Sequence, residues 1–202
     1  MSEVATVAGV AVPVDEVDAA ETRLRARRGA AALPAVGTAE GRQLRRWLTQ
    51  LIVTERVVAA EFEARGLCGR GAPSEEELLP DATARMEIGS VAAAVLADPR
   101  ARALFADVTA AVRVPDEEVA SYHARNPLRF AAPGRDSHGW RSPPATPPLD
   151  DVRSAIAGHL LGAARRRAFR VWLDARRVAL VRLAPGYEHP GDPRQPDNTH
   201  RH

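Results

Sequence analysis

The longest regular pattern of apolar positions lies in residues 148–183. Its apolar residues recur every three or four positions: Leu149, Val152, Ile156, Leu160, Ala164, Ala168, Val171 and Ala175. This spacing predicts an amphipathic helix of roughly seven turns. Two aspartates in its first turn and two arginines in its last suit the direction of the helix dipole. After Arg177 the pattern changes, and residues 178–183 predict a short β-strand.

The remainder of the chain is mainly helical in pattern. Residues 4–12 are rich in valine and end at Pro13, which predicts a strand with a turn or bulge at Gly9. Capping residues, acids in first turns and apolar spacing of three to four residues predict further helices. These cover residues 14–28, 40–65, 75–97, 101–112 and 114–126. The expected fold class is therefore mainly α.

Two proline-rich stretches divide the chain. Residues 131–148 have the composition of a linker, and residues 184–202 form a tail rich in histidine and proline without an apolar pattern. We therefore expect one helical domain over residues 1–183, with the linker inside it and the tail after it.

Composition narrows the classes of function. All 28 basic residues are arginine, which together with the high alanine content is typical of a GC-rich, for example actinobacterial, genome. A cluster of arginines is therefore weak evidence of a site. The net charge of +2 does not indicate a nucleic-acid partner. Cys68 is the one cysteine, so an internal disulfide is excluded and a reducing compartment is favoured.

The chain also lacks the marks of a membrane or exported protein. No stretch reaches the roughly 18 apolar residues of a membrane helix, so we expect no membrane association. Glu3 stands where a signal peptide would be basic, and the apolar run that follows is short. The expected location is the cytoplasm.

Four segments resemble the SurA/PrsA-type parvulin chaperones in pattern and order. The first two are the N-terminal strand with the VDEVDAA helix after it, and LIVTERVVAAEFEARGL at residues 51–67. The others are VPDEEVASYHARNPLRF at residues 114–130 and the helix and strand of residues 148–183. The resemblance implies a SurA-like helical chaperone core, closed by a small sheet in which the N-terminal and C-terminal strands pair.

The chain departs from that family in one respect. The family carries its parvulin prolyl-isomerase domain between the segments that end here at Phe130 and begin at Leu149, where this chain has only the linker. The family's catalytic residues lie in that domain, so none transfers to this sequence. The resemblance therefore implies a chaperone-like core without prolyl-isomerase activity.

The tail carries residue types that bind metals. Glu188, His189, His200 and His202 combine imidazoles with a carboxylate, the usual ligands of divalent transition metals. Two histidines and one acid suffice for a three-ligand site with an open position. The alternative is a polar tail without a site.

Two catalytic candidates lie in the linker and one on a helix. Asp136 precedes His138 by two residues, an arrangement that can orient an imidazole as a base or ligand; the alternative is a solvated loop. Glu55 lies on the apolar face of the 40–65 helix, where burial would raise the pKa of a catalytic carboxylate. The alternative for Glu55 is pairing with an arginine.

Four aromatic residues are candidates for binding. Trp47, Phe62, Tyr122 and Trp172 lie on predicted helices, as core residues or as the walls of an apolar groove. An exposed tryptophan would favour a hydrophobic ligand.

Two functions remain open at this point. The first is a chaperone-like module that binds an unfolded peptide or a partner protein in an apolar groove. The second is an enzyme that reuses the scaffold for biosynthesis. It would be an isomerase, a cyclase or a metal-dependent enzyme acting on a small or carrier-bound metabolite, with a site built from linker and tail histidines. A homodimer through the long helix is a further expectation, by analogy.

Overall fold

The computed structural model describes residues 2–27, 30–131, 134–135, 141–142 and 146–187. Across these residues the fold is mainly α, with a small antiparallel sheet, as predicted. The helices are α1 (Val14–Arg25), α2 (Ala39–Ala64), α3 (Glu75–Leu78), α4 (Ala82–Ile88), α5 (Ser90–Val95), α6 (Pro99–Val108), α7 (Asp116–Arg125) and α8 (Leu149–Leu180). The strands are β1 (Glu3–Val7), β2 (Val10–Pro13), β3 (Gly134–Arg135), β4 (Arg141–Ser142) and β5 (Val181–Leu183).

The first predicted strand is a hairpin rather than one strand. Ala8 and Gly9 have φ values of +48° and +81°, and this left-handed pair makes the tight turn between β1 and β2. The sheet has the order β2-β1-β5, with β5 antiparallel to β1. The expected pairing of the N-terminal and C-terminal strands is therefore confirmed.

Helix α2 is the central element of the main core. Thr38 caps it by accepting a hydrogen bond from the Gly41 amide at 3.0 Å. Its buried residues include Val53 and Val57, which are fully shielded from solvent. The helix contacts α1, α5, α6, α8 and β1, so it holds the sheet and the surrounding helices together.

The single helix predicted over residues 75–97 is divided into α3, α4 and α5. Asp81 caps a new helix by accepting from the Ala84 amide at 2.8 Å, directly after Pro80. Gly89 then adopts a φ of +91°, a conformation that interrupts a right-handed helix. Apolar spacing alone did not reveal these breaks, because Met86, Gly89, Ala93 and Leu96 keep a helical spacing across them.

Helix α8 buries two different faces along its length. Val152 and Ile156 are buried in its first half, but Phe169 and Leu173 are buried in its second half. At 100° per residue these pairs lie roughly a quarter-turn apart around the axis. The predicted stripe therefore fails in the second half, where Val171 is 61% exposed. The reason is that α8 contacts α7 through one part and α2, α4 and α6 through another.

A smaller core joins α7 to the first half of α8. Its buried residues are Val119, Val152 and Ile156, and Tyr122 and Phe130 pack around them. Within the predicted linker, β3 and β4 pair in a two-residue antiparallel ladder. No helix among the described residues is both long and apolar enough to span a bilayer.

Candidate functional site

A groove lies where α1 and α5 meet α2. Its volume is about 390 Å³. Helix α2 contributes Trp47, Leu48, Leu51, Ile52 and Glu55, and we call the site the Trp47–Glu55 groove. Leu48 and Ile52 are nearly fully buried and form an apolar floor beneath a polar rim.

Helix α1 forms the opposite wall of the groove. Ala20 and Leu24 supply apolar surface, and Arg23 and Arg27 are exposed above them. Ala94 of α5 completes the lining. The rim therefore carries the guanidinium of Arg23 from α1, that of Arg27 just after α1, and one carboxylate from α2.

Buried charges hold α1 against α2. Glu21 of α1 is 7% exposed, and it accepts hydrogen bonds from Arg25 and, at 2.7 Å, from Arg45 of α2. Burial by itself would raise the pKa of the Glu21 carboxyl, but these hydrogen bonds outweigh it and the pKa is lowered. Arg45 also contacts Asp18 at 2.6 Å. The groove walls are thus fixed by a charged network that lies outside the groove.

Trp47 is a half-buried wall of the groove. Its indole Nε1 donates a hydrogen bond to Ser90 Oγ at 3.2 Å, which orients the ring. The ring leaves part of its face accessible, as aromatic binding residues do when a polar atom fixes their orientation.

Glu55 lies on the rim and is exposed, so the burial expected from the apolar spacing of α2 is wrong. It has no hydrogen bond or ion pair to any described residue. Desolvation by its surroundings raises the pKa of its carboxyl, and the carboxylates of Asp98 and Glu16 raise it further. Arg23 and Arg100 oppose that rise without cancelling it. Asp98 and Glu16 each have an arginine partner, Arg100 and Arg56 respectively, so Glu55 is the acid of this group that lacks one.

Glu55→Gln is expected to stabilise the fold at neutral pH. The folded pKa of Glu55 lies above its unfolded value, so between the two values the native state binds more protons than the unfolded state. Its ionisation therefore removes stability as the pH rises through the raised pKa. Urea unfolding at neutral pH should show the variant to be the more stable protein, and the difference should vanish below the ordinary pKa of glutamate, about 4.3. A variant less stable than wild type at neutral pH would contradict this account.

The other described candidates lie elsewhere. Trp172 stacks on Phe169 with ring centroids 5.6 Å apart and lies beneath the Arg65 guanidinium, at the edge of the main core. Tyr122 belongs to the smaller core, where its hydroxyl lies 3.3 Å from His159 Nε2. Phe62 is half buried near the end of α2 and does not line the groove. Glu55 and Trp47 are therefore the two predicted residues that line one cavity.

Six candidates lie outside the described residues, namely Asp136, His138, Glu188, His189, His200 and His202. In the part of the chain that is described, no group of three or more histidine, cysteine, aspartate or glutamate side chains is placed to hold a metal ion.

Sequence reasoning did not single out Arg23 and Arg27. Their spacing of four, next to Ala20 and Leu24, places two charges beside an apolar strip on one side of α1. This spacing was a usable signal, but the contact of α1 with α2 was needed to show that it faces a groove.

Comparison with known proteins extends only to one end of the chain. The model of a family of unknown function, DUF7158, matches residues 3–40. The match covers β1, β2 and α1 and ends as α2 begins. Searches of curated proteins and of solved structures gave no significant match.

Proposed function

We propose that the protein is a chaperone-like module that binds extended peptide segments in the Trp47–Glu55 groove. The segment it selects carries a large apolar side chain next to a lysine or arginine. The apolar side chain occupies the floor of Leu48 and Ile52, and the cation pairs with Glu55. The proposal extends the resemblance to a chaperone core, and it does not require a prolyl-isomerase domain.

The observation that carries the proposal is the state of Glu55. Glu55 is an exposed carboxylate whose pKa is raised by its surroundings and by two nearby acids, and it has no ion-pair partner among the described residues. A cationic ligand group would relieve that repulsion and form a charge-assisted hydrogen bond. The groove therefore favours a basic group at one defined point above an apolar floor.

The size of the groove suits part of a peptide. A volume of about 390 Å³ is near the lower end of the range for ligand pockets. It accommodates one or two apolar side chains while the rest of a segment remains outside. The exposed Arg23 and Arg27 stand on the opposite wall, where they disfavour a second cation and orient the segment.

The lining gives less support to an enzyme. Its ionisable residues are Glu55 and the two arginines, and an arginine remains protonated at any working pH. Glu55 is therefore the single group of the lining suited to proton transfer. We accordingly favour binding over an isomerase, cyclase or metal-dependent reaction.

Peptide binding should depend on Glu55 and Trp47. The probe is a fluorescein-labelled peptide that places phenylalanine beside arginine, with both termini blocked, and the readout is fluorescence anisotropy. Glu55→Gln should weaken binding by about 10-fold or more, since charge-assisted hydrogen bonds contribute about 1.5–3 kcal/mol. Trp47→Ala should weaken it comparably, because it removes an aromatic wall. Binding to wild type should also fall as the pH is lowered through the raised pKa of Glu55, whereas binding to Glu55→Gln should change little.

The matched control is Glu63→Gln. Glu63 is an exposed acid on α2, eight residues beyond Glu55 and outside the groove lining. The Glu63→Gln variant should bind the peptide probe as wild type does. Equal binding by Glu55→Gln and wild type, or equal binding of a probe with glutamine in place of arginine, would refute the proposal. Chemical turnover of a metabolite that Glu55→Gln abolishes would instead identify an enzyme.

A further inference from the structure

A second groove follows the C-terminal end of α8. It consists of two cavities of about 340 and 450 Å³, which share Asp174 and Arg177 in their walls. One lies between α8 and the junction of α4 with α5, and the other lies between α8 and β5. We call the combined site the Arg177 groove.

Arg177 has a buried donor without an acceptor. Its Nη2 donates to Gln50 Oε1, but its Nε is buried and has no hydrogen-bond partner among the described residues. It also forms no ion pair with them. Burial lowers the pKa of its guanidinium, and Asp174 offsets this only in part. The Nε itself is enclosed, but the Arg177 side chain lines both cavities, and a carboxylate is the group that best satisfies a guanidinium.

The charge of the groove also favours an anion. Arg170 and Arg182 line it together with Arg177, and Asp174 is the acidic residue of the described lining. Arg170 donates to the Glu87 carbonyl, and Arg182 donates to the carbonyls of its own helix end, so neither is neutralised by a carboxylate there. The lining therefore has an excess of two positive charges.

The groove runs along the unpaired edge of the sheet. The side chains of Val181 and Leu183 lie on one face of β5, and that of Arg182 lies on the opposite face. One cavity touches all three residues, so it must lie at the edge of the strand and not above either face. The Leu180 carbonyl accepts from the Ala8 amide, and the Ala184 amide donates to the Val4 carbonyl of β1. Backbone groups of alternate residues point to opposite sides of a strand, so those of Val181 and Leu183 point away from β1. The Val181 amide donates to the Arg177 carbonyl, and the Val181 carbonyl accepts from Arg182 Nη1. By the same alternation, Leu183 is the residue of β5 whose outward amide and carbonyl can pair with an added segment.

An apolar side chain borders the same edge. Val178 is 79% exposed, on the last turn of α8, and it lines the groove beside β5. Along this surface lie, in turn, the backbone edge of β5, the apolar side chain of Val178, and Arg177, which can bind the carboxylate of a ligand. A small anion would use only the last of these, whereas an extended peptide would use all three.

We infer that the Arg177 groove binds an extended peptide segment that carries an acidic residue. The segment pairs with the outward edge of β5, lays a small apolar side chain against Val178, and places its carboxylate on Arg177. This is strand addition at a sheet edge, with the charge selecting the sequence. The Arg177 groove differs from the Trp47–Glu55 groove in location and in the charge of its ligand, which is negative here and positive there.

The test uses a labelled peptide that alternates threonine and valine around one aspartate, with both termini blocked. Fluorescence anisotropy should show binding to the full chain. Val178→Glu should weaken binding about 10-fold or more relative to Val178→Gln. The two new side chains have nearly the same size, but the glutamate repels the aspartate of the peptide. Val171→Glu is the matched control: Val171 is exposed on α8 but lies outside the groove, so binding should be unchanged.

Changes in the peptide separate the contribution of its carboxylate to binding from that of its backbone hydrogen bonds. A peptide with asparagine in place of aspartate should bind about 10-fold more weakly, and one methylated on alternate backbone nitrogens should lose binding. Equal binding of the aspartate and asparagine peptides, or equal binding by the glutamate and glutamine variants, would overturn the inference. Self-association of wild type that Val178→Glu abolishes would also overturn it, by identifying a second copy as the occupant. The basic probe and Glu55→Gln report on the other groove, so failure at either site is recognised separately.

Discussion

Phe169→Ala is expected to lower the free energy of unfolding by about 3–5 kcal/mol. Phe169 is completely buried, and its ring lies 5.0 Å from that of Phe105 and 5.6 Å from that of Trp172. Truncation removes the residue through which α8 packs against α6 and leaves a cavity that helices on several sides prevent from collapsing. Urea unfolding followed by circular dichroism measures the loss, which is a large fraction of the stability of a typical domain.

Phe62→Ala is the matched control for this prediction. Phe62 is half buried on α2 and lies outside both buried clusters. The same substitution there should have a clearly smaller effect, since less apolar surface is returned to water. If the two variants are equally destabilised, the second half of α8 does not pack as described.

Gln50→Leu is expected to destabilise the protein by about 2–4 kcal/mol. The Gln50 side chain is fully buried at the meeting point of three segments. Its Nε2 donates to the Tyr187 carbonyl at 3.1 Å, and its Oε1 accepts from Arg177 of α8. Leucine has a similar volume but leaves both partners unsatisfied. Urea unfolding should show the loss, and amide hydrogen exchange at Tyr187 should become faster.

The double variant Gln50→Leu/Arg177→Met separates hydrogen bonding from packing. Replacing both partners by apolar side chains removes the unsatisfied guanidinium, so the double variant should recover part of the stability that Gln50→Leu loses. Strict additivity of the two single effects would show that the Gln50–Arg177 contact contributes nothing.

The stability predictions and the binding predictions concern different residues. Phe169 and Gln50 lie in the core and hold α8 and the end of the described chain in place. Glu55 and Val178 are exposed, and their substitution should leave the fold intact, whereas Trp47 packs partly against the main core. Loss of binding in those variants is therefore expected without loss of structure, which circular dichroism can verify in the same samples.

Most of the elements followed from local signals. Apolar spacing placed α2 and α6 to within a few residues, and the Ser74 cap with the acids after it placed the start of α3. The hairpin was predicted only as a turn or bulge at Gly9, since one glycine does not distinguish the two. The breaks at Pro80 and Gly89 carried signals of their own, but an uninterrupted apolar face concealed them.

The candidate site was predicted only in part. Glu55 was selected because it interrupts an apolar face, and Trp47 because it is a large aromatic residue on the same helix. Neither position in the sequence indicated that α1 would bring Arg23 and Arg27 to the opposite wall. The sequence indicates Arg177 only as a partner of the helix dipole, because an arginine's burial and its missing acceptor depend on residues distant in the chain.

The sequence by itself determined that the chain is mainly helical, where most helices begin and end, and that strands near both ends are available to pair. These features depend on interactions over a few residues, namely capping, proline and glycine conformations, and apolar period. The tertiary structure decided which face of α8 is buried in each half, and which charges remain without partners. Only packing brings together α1, α2 and α5, or α8, β5 and Gln50. The grooves and the unpaired groups within them are therefore properties of contacts between segments far apart in the chain.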